Sequence, residues 1–249
     1  MTPPDRAAFF VEDAFAPGSQ MALSESDAQH IAVLRFGVGE RVGLRDGAGR
    51  TASGSLVRLG RKNALVDVDA VHEVAPSRTI HLLVPVADRD RMLWLAEKAA
   101  ELNVASWRPV LWHRSRSVSP RGDGPTFRAK VRTRMIAALL QSRSAWLPEI
   151  YPEATPDRAI AACPAGTRLV LDASGGPLMG RTAAEPVIVA VGPEGGFEAE
   201  ELAQLATAGF EPLAIGSSVL RFETAAIAGI AVARAMLDSG ITDNIHDHG

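Results

Sequence analysis

The chain has 249 residues, of which 47% are hydrophobic and 22% are charged, and it carries a formal net charge of −3. These values are typical of a globular protein with one large or two modest domains. No run approaches the roughly 20 apolar residues of a membrane span, and the first residues lack the pattern of a secretory signal, so we expect a cytoplasmic protein without a membrane partner. Cys163 is the only cysteine, which excludes an internal disulfide and is typical of a reducing compartment.

The first part of the chain shows the short alternating stretches that predict a small β-barrel. These stretches cover residues 42–45, 53–59 and 64–68, with turn residues at 46–49 and 61–63. Residues 73–77 contain proline and serine and interrupt both strand and helix periodicity, which is typical of a linker. We therefore predict a β-barrel domain over residues 1–73 and a second domain over residues 74–249.

The second domain is predicted to be an α/β domain, because apolar runs of strand length alternate with helical patterns. Residues 80–86, 106–111, 168–172 and 186–191 are predicted strands, and residues 89–102, 126–144 and about 223–237 are predicted helices. The run at residues 186–191 is continuously apolar, as in a strand buried on both faces. A mostly parallel sheet covered by helices follows from this order.

Two glycine-containing loops follow strands near the C-terminal end. Residues 191–196 read Val-Gly-Pro-Glu-Gly-Gly, and residues 215–225 read Ile-Gly-Ser-Ser-Val-Leu-Arg-Phe-Glu-Thr-Ala. Such loops lie where an open α/β sheet presents its ligand crevice, and glycine lets the backbone approach a ligand closely. Neither loop has the glycine spacing of a dinucleotide-binding turn or of a P-loop, which argues against NAD and ATP. We expect the two loops to share one pocket.

The two loops in this order, followed by an alanine-rich helix, resemble the SPOUT class of RNA methyltransferases. Within that class the chain is similar to the ribosomal RNA small subunit methyltransferase E family along nearly all of its length. Matching segments lie at residues 30–35, 97–104, 141–142 and 147–150. The chain departs from the family pattern at residues 140–144, where many members have Glu-Gln-x-Gly-Arg and this chain reads Leu-Gln-Ser-Arg-Ser. It also has Leu171 and Asp172 where members often have asparagine.

The resemblance implies a fold, a reaction and partners. The expected fold is an α/β SPOUT domain with a trefoil knot and a mostly parallel sheet, preceded by a PUA-like β-barrel that binds RNA. The expected activity is methylation of uridine N3 in 16S rRNA with S-adenosylmethionine as the cofactor. The partners implied are 16S rRNA in the assembled small ribosomal subunit and a second copy of the chain, in a homodimer whose active sites lie at the subunit interface.

The resemblance also implies a set of cofactor-binding residues on the two loops and on the preceding strand. They are Leu171, Gly192, Pro193, Glu194, Gly195, Gly196, Ile215, Gly216, Leu220 and Thr224. Backbone groups around these positions are expected to enclose the adenine, the ribose and the methionine portion of the cofactor. Thr224 is expected to close the pocket by a hydrogen bond.

The implied chemistry is an in-line displacement that needs alignment and a cofactor but no metal. The N3 proton of uracil must leave, and the resulting negative charge must be stabilised. Arg221 is the candidate for orienting or stabilising the uridine, since the family motif has arginine there; a salt bridge to Glu223 or to a neighbouring subunit is the alternative. Glu194 and Glu223 are candidates for the base or for hydrogen bonding, and structural capping stays equally open for each.

Basic residues cluster in two segments despite the negative net charge. Nine Arg or Lys and one Asp lie between Trp107 and Trp146, and seven Arg or Lys lie with two acids between His30 and Lys62. Both segments are predicted to contact RNA phosphates, although a solvated charged face is the alternative interpretation of any one such run. The candidate RNA-binding residues are Arg35, Arg114, Arg116, Arg128, Arg132, Gln141 and Arg143.

Two other functions stay open on the sequence. The loops do not identify the acceptor atom, so a SPOUT enzyme of other specificity, such as a ribose 2′-O-methyltransferase, is one alternative. A non-catalytic ribosome-assembly factor that holds RNA is the other. The histidines are scattered, and we expect no metal site.

Overall fold

A computed structural model describes residues 5–117, 120–176 and 182–239, without the side chains of Arg116, Ser117 and Ser239. The predicted RNA contact at the Arg116 side chain therefore lies outside the described part. The chain divides into two compact units, Met1–Pro76 with Leu139–Leu147 and Ser77–Ala138 with Pro148–Gly249. The boundary predicted between residues 73 and 74 stays a prediction. Within the described residues, no helix has both the length and the apolar character that crossing a membrane requires.

The first unit is built on a five-stranded sheet with the strand order β1-β3-β4-β5-β2. Its elements are β1 (Ala8–Phe10), β2 (Gln20–Leu23), α1 (Glu25–Val33), β3 (Arg41–Arg45), β4 (Arg50–Leu59) and β5 (Ala64–Glu73). Strands β1 and β3 are parallel, and the other neighbours are antiparallel. Side chains alternate along β4 between buried and less buried, so one face of the sheet covers a core that includes Leu44, Leu56 and Val66. The prediction of a small β-domain is confirmed.

The hairpin between β3 and β4 contacts the segment after residue 144, which belongs to the same unit. The Gly49 amide donates to the Ala145 carbonyl at 3.0 Å, and the Leu147 amide donates to the Gly47 carbonyl at 2.8 Å. Gly49 has a φ of +95°, and a Cβ there would overlap the ring of Trp146. Glycine is therefore required at this turn by both its backbone angle and its packing.

The second unit is built on a six-stranded sheet with the order β11-β9-β10-β6-β7-β8, in which every neighbouring pair is parallel. Its strands are β6 (Ile80–Pro85), β7 (Ser106–Val110), β8 (Glu149–Ile150), β9 (Thr167–Gly176), β10 (Val187–Ala190) and β11 (Glu211–Leu213). Its helices are α2 (Arg89–Glu101), a 3₁₀ helix (His113–Ser117), α3 (Gly124–Ser142, whose last residues belong to the first unit), α4 (Pro156–Ala161), α5 (Ala199–Thr207) and α6 (Phe222–Ser239). The predicted parallel α/β domain is confirmed.

Burial explains the position of β10 at the centre of this sheet. All four of its residues are buried, because strands lie on both sides of it and helices cover its faces. The last helix, α6, packs against β6, β9, β10 and α2. A Cβ at Gly229 of α6 would lie 2.5 Å from a methyl carbon of Leu171, so glycine here allows the helix to approach β9 closely. The carboxyl ends of β9 and β10 are thereby brought next to the start of α6.

A polar cluster lies across β6, β7 and the residue that follows β8. Nδ1 of His81 lies 2.7 Å from Oγ of the buried Ser106, and Nε of Arg108 donates to the same oxygen at 2.9 Å. The guanidinium of Arg108 also stacks on the ring of Tyr151 at 3.9 Å. Burial, and then the charge of Arg108, lower the pKa of His81 below its ordinary value.

This lowered pKa predicts a pH-dependent stability. The unfolded chain binds a proton at His81 more readily than the folded chain, so the free energy of unfolding should fall as the pH drops below about 6.5, the ordinary histidine value. The loss should continue until the pH reaches the folded-state pKa. Urea unfolding between pH 5 and pH 8 measures this slope, and His81→Gln should remove the His81 share of it. An identical pH dependence in the variant would contradict the assignment.

Candidate active site

A cavity of about 290 Å³ lies in the second unit where β9, β10 and β11 end. This size falls near the lower end of the range for small-molecule sites. Its walls come from the end of β9, from the loop after β10 and from the loop between β11 and α6. The lining residues are 171–173, 191–197, 213, 215–216, 218–220, 222 and 225. Both glycine loops thus face one cavity at the carboxyl edge of a parallel sheet, which is where such sheets bind ligands.

The first loop turns tightly after β10. The Gly196 amide donates to the Pro193 carbonyl at 2.8 Å, and Gly196 has a φ of +75°, an angle that favours glycine. A Cβ at Gly192 would lie 3.0 Å from the ring of Phe197, which in turn packs edge-on against Trp112. The glycines therefore keep this turn narrow and leave its backbone at the cavity wall.

Arg114 fixes the outer side of this loop. Its Nε donates to Oε1 of Glu198 at 2.8 Å, and another guanidinium nitrogen donates to the Gly195 carbonyl. The hydrogen bond from Arg114 lowers the pKa of Glu198. A Cβ at Gly195 would lie 2.8 Å from Cδ of Arg114, so the arginine packs directly on the glycine. A residue predicted to contact RNA thus also holds the loop in place.

Glu201 connects the 3₁₀ helix to the segment that follows the first glycine loop. Its carboxylate is buried and accepts the His113 amide at 2.8 Å and the Glu198 amide at 2.9 Å. The second of these bonds is part of a capping box at the start of α5. The 3₁₀ helix after β7 is thereby tied to the helix that follows the first glycine loop.

The second loop presents apolar side chains to solvent. Val219 is 98% exposed and Leu220 is 36% exposed, whereas Phe222 is buried at the first position of α6. Arg221 lies between them and is exposed. Its proposed alternative partner, Glu223, lies within 4.0 Å of a different arginine, Arg91.

Most of the predicted cofactor residues line the cavity. Of the predicted catalytic residues, Glu194 lines it, whereas Arg221 and Glu223 do not. The lining set includes Leu171, Gly192, Pro193, Glu194, Gly195, Gly196, Ile215, Gly216 and Leu220. Arg221 directly precedes α6, and Glu223 and Thr224 lie in its first turn; none of the three lines the cavity. Phe197, Phe222 and Ala225 line it and were not predicted. Phe222 and Ala225 lie within the second loop motif, and Phe197 directly follows the first, so these positions were the available signal.

A charge cluster beside the cavity was also missed by the sequence interpretation. Nη1 of Arg91 lies 3.9 Å from Oε1 of Glu194, and Nε of Arg91 lies 3.9 Å from Oε1 of Glu223. Glu223 is only 7% exposed, and its Oε2 has no hydrogen-bond partner among the described residues. Arg91 lies in the first turn of the helix after β6, so its place at the carboxyl edge of a strand was the signal that could have found it.

The predicted RNA-binding residues are distributed over both units. Arg35, Gln141 and Arg143 are exposed in the first unit, and Arg35 and Arg143 both adopt positive φ angles. Arg128 and Arg132 lie half-buried on α3 in the second unit. Across the described ranges, no group of three or more His, Cys, Asp or Glu side chains is arranged to hold a metal ion.

The parallel sheet with its cavity between two glycine loops agrees with the SPOUT methyltransferase fold that the resemblance implies, and the separate five-stranded sheet agrees with the implied PUA-like domain. Residues 74–234 match the family described as RNA methyltransferase domain, and residues 23–69 match the RNA methyltransferase PUA domain. The chain belongs to this family of RNA methyltransferases, in which it is of the ribosomal RNA small subunit methyltransferase E type.

Three relatives illustrate the similarity. The ribosomal RNA small subunit methyltransferase E of Mycobacterium bovis is 27% identical over 252 residues, covering 94% of this chain and 95% of the relative. The Neisseria gonorrhoeae enzyme of the same name, solved with S-adenosylmethionine, is 26% identical with a TM-score of 0.85, over 93% of this chain and 98% of that one. A Legionella pneumophila methyltransferase solved with the same cofactor is 29% identical with a TM-score of 0.84, over 92% and 97%.

Proposed function

We propose that this chain methylates N3 of a uridine in 16S rRNA of the small ribosomal subunit, in the cytoplasm, with S-adenosylmethionine as the methyl donor. The observation that carries the proposal is that both glycine loops wall the same cavity at the carboxyl edge of the sheet. Family membership supports RNA methylation, and the relatives' names support rRNA of the small subunit as the substrate. The acceptor atom rests on the resemblance to the methyltransferase E family.

The residues of the cavity fit the cofactor. Leu171, Ile215 and Phe222 offer apolar surface on which an adenine ring can pack, and the glycines leave backbone amides and carbonyls open to polar groups. A Cβ at Gly216 would meet nothing within 4 Å, so the backbone there borders open space. Glu194 provides a carboxylate at the wall, which suits a ligand that carries a positive sulfonium and an ammonium group.

The chain's own contribution to the reaction is alignment and charge stabilisation. When bound, S-adenosylmethionine supplies a methyl group activated by a sulfonium leaving group. The loops must hold the acceptor nitrogen in line with that methyl, since positioning alone lowers such barriers strongly. We propose that Arg221, exposed beside the cavity, stabilises the negative charge that develops on the uracil oxygens. Glu194, which lines the cavity, and Glu223, which lies beside it, are the proposed candidates to receive the N3 proton directly or through water.

RNA binding is proposed to use basic residues of both units. Arg35, Gln141 and Arg143 would contact phosphates from the first unit, and Arg128 and Arg132 from the second. Arg114 joins this set through its place beside the first glycine loop, and Arg116 belongs to it by sequence alone. The negative net charge of the chain is compatible with RNA binding, because attraction to phosphates depends on where the basic residues lie.

We also propose the homodimer that the resemblance implies. The apolar side chains of Val219 and Leu220 are exposed beside the cavity, and Trp94 of α2 is 47% exposed. Exposed apolar groups of this kind are typical of surfaces that bind a partner. Light scattering at micromolar concentration should give twice the monomer mass, and a purely monomeric mass would argue against the dimer.

The trefoil knot is proposed on the same resemblance. The order β11-β9-β10-β6-β7-β8 places strands that are late in the sequence on one side of β6, and α6 packs beneath them against β6 and α2. A knot would bring the two glycine loops together by threading the chain rather than by side-chain packing alone. An experimental chain trace in which the segment before α6 does not pass through a preceding loop would exclude it.

Transfer of a labelled methyl group tests the proposed function. The chain should label assembled small subunits that lack the modification, and mass spectrometry of the digested nucleosides should find N3-methyluridine. Naked 16S rRNA, tested in parallel, shows whether the assembled subunit is required. A 2′-O-methylated nucleoside would replace the proposed specificity. Tight subunit binding without any transfer would favour a non-catalytic assembly factor.

Gly196→Val should weaken cofactor binding. Valine strongly disfavours the positive φ at this position, so the turn that walls the cavity would have to rearrange. We expect the affinity for S-adenosylhomocysteine, measured by calorimetry, to fall on the order of tenfold or more, since about 1.4 kcal/mol of strain is a factor of ten. Gly37→Val is the matched control, because a Cβ at Gly37 meets nothing within 4 Å, its φ is not positive and Gly37 does not line the cavity. Equal affinities in both variants would mean that the first loop is purely structural.

Arg221→Ala should abolish most methyl transfer while cofactor binding persists. The side chain does not line the cavity, so its loss should leave the cofactor contacts intact. We expect kcat to fall on the order of 100-fold, as for loss of one stabilising donor at a developing negative charge. Turnover and calorimetry on the same protein sample separate the two effects. Unaltered turnover would remove Arg221 from the mechanism.

A further inference from the structure

We propose that Arg91 is a positioning residue that bridges the two carboxylates beside the cavity, and thereby holds the first glycine loop against the start of α6. This inference rests on the proposed use of the cavity for S-adenosylmethionine. The two loop motifs place the site in the C-terminal part of the domain. The proposal adds helix α2, which comes much earlier in the chain, to the elements that form it.

The geometry places Arg91 between the two acids. Different nitrogens of its guanidinium face them, Nη1 towards Glu194 and Nε towards Glu223, each at 3.9 Å. A planar guanidinium carries donors on separate edges, so it can face two carboxylates in fixed directions. The backbone of Arg91 is itself fixed, because its amide donates to the capping carboxylate of Asp88 at 3.0 Å. The bridge therefore starts from a rigid point at the N-terminus of α2.

Burial makes the bridge asymmetric. The side chain of Glu223 is 10% exposed, whereas those of Glu194 and Arg91 are 31% and 36% exposed. A buried carboxylate is costly without a positive partner, and Arg91 is the cation within 4.0 Å of it in the described residues. Glu223 thus anchors Arg91 on the buried side, and Arg91 then presents its charge to the more exposed carboxylate, that of Glu194 in the loop.

This arrangement connects to the ligand through Glu194. Of the three residues, only Glu194 lines the cavity. Holding its carboxylate towards Arg91 sets the path of the loop between Pro193 and Gly196, which forms one wall. Arg91 therefore acts on the bound cofactor through another residue and through the loop backbone.

A double-mutant cycle tests the bridge. Arg91→Gln, Glu223→Gln and the double variant are compared for affinity towards S-adenosylhomocysteine by calorimetry, for thermal unfolding, and for kcat and KM in methyl transfer. Lys98→Gln is the matched control, because Lys98 lies on the same helix, is similarly exposed and also bridges two carboxylates, Glu97 and Glu101.

We expect Arg91→Gln to weaken S-adenosylhomocysteine binding on the order of tenfold, an effect typical of a residue that acts by placing another group. The double variant should lose no more than the worse single variant, because both changes break the same bridge. Arg91→Lys should recover part of the loss, since it keeps the charge but not the two-edged geometry. Lys98→Gln should bind normally.

Two results would overturn the proposal: normal binding by Arg91→Gln, or losses from Arg91 and Glu223 that simply add. If Arg91→Gln fails to fold with Glu223 left unpaired, the double variant removes both charges and still supplies the comparison with Glu223→Gln alone. These binding and unfolding readouts need no RNA. A wild-type protein that binds S-adenosylhomocysteine but does not methylate uridine N3 would therefore refute the proposed function, whereas the binding results of the variants would still decide the bridge.

Discussion

The site depends on the parallel pairing of β10 between β6 and β9. Because all three strands run in the same direction, the loops that leave them emerge at one edge of the sheet. The backbone must then turn sharply without filling the space between the loops, and the positive φ of Gly196 meets that need. The close approach of α6 at Gly229 brings the second loop to the same place. The cavity is a consequence of strand direction and of glycine at a few positions.

Charged side chains supply what the backbone alone does not, which is a fixed position for the loops. Arg114 holds the first loop from outside through Glu198 and the Gly195 carbonyl, and Arg91 faces the same loop through Glu194. Both arginines precede the loop by many residues in sequence and come from elements that follow β6 and β7. Some basic residues of this domain therefore stabilise the cavity. A count of basic residues in the sequence does not by itself identify the residues that bind RNA.

The sequence was sufficient for features that depend on local pattern. Periodicity and residue type were enough to predict the apolar strand β10, the basic helix α3 and the two glycine loops. Strands β8 and β11 have two and three residues and carry too little pattern to be predicted. The inclusion of Leu139–Leu147 in the first unit depends on contacts between residues far apart in sequence. The place of Arg91 after β6 is visible in the sequence, but its pairing with Glu194 and Glu223 is a long-range contact that local pattern does not encode.

The most direct test of this account is a crystal structure of the protein with S-adenosylhomocysteine. The account predicts that the ligand occupies the cavity between residues 191–197 and 215–220, with its adenine against the apolar wall and its polar groups on the loop backbone. Density for the ligand at any other site, with this cavity empty at saturating concentration, would contradict it.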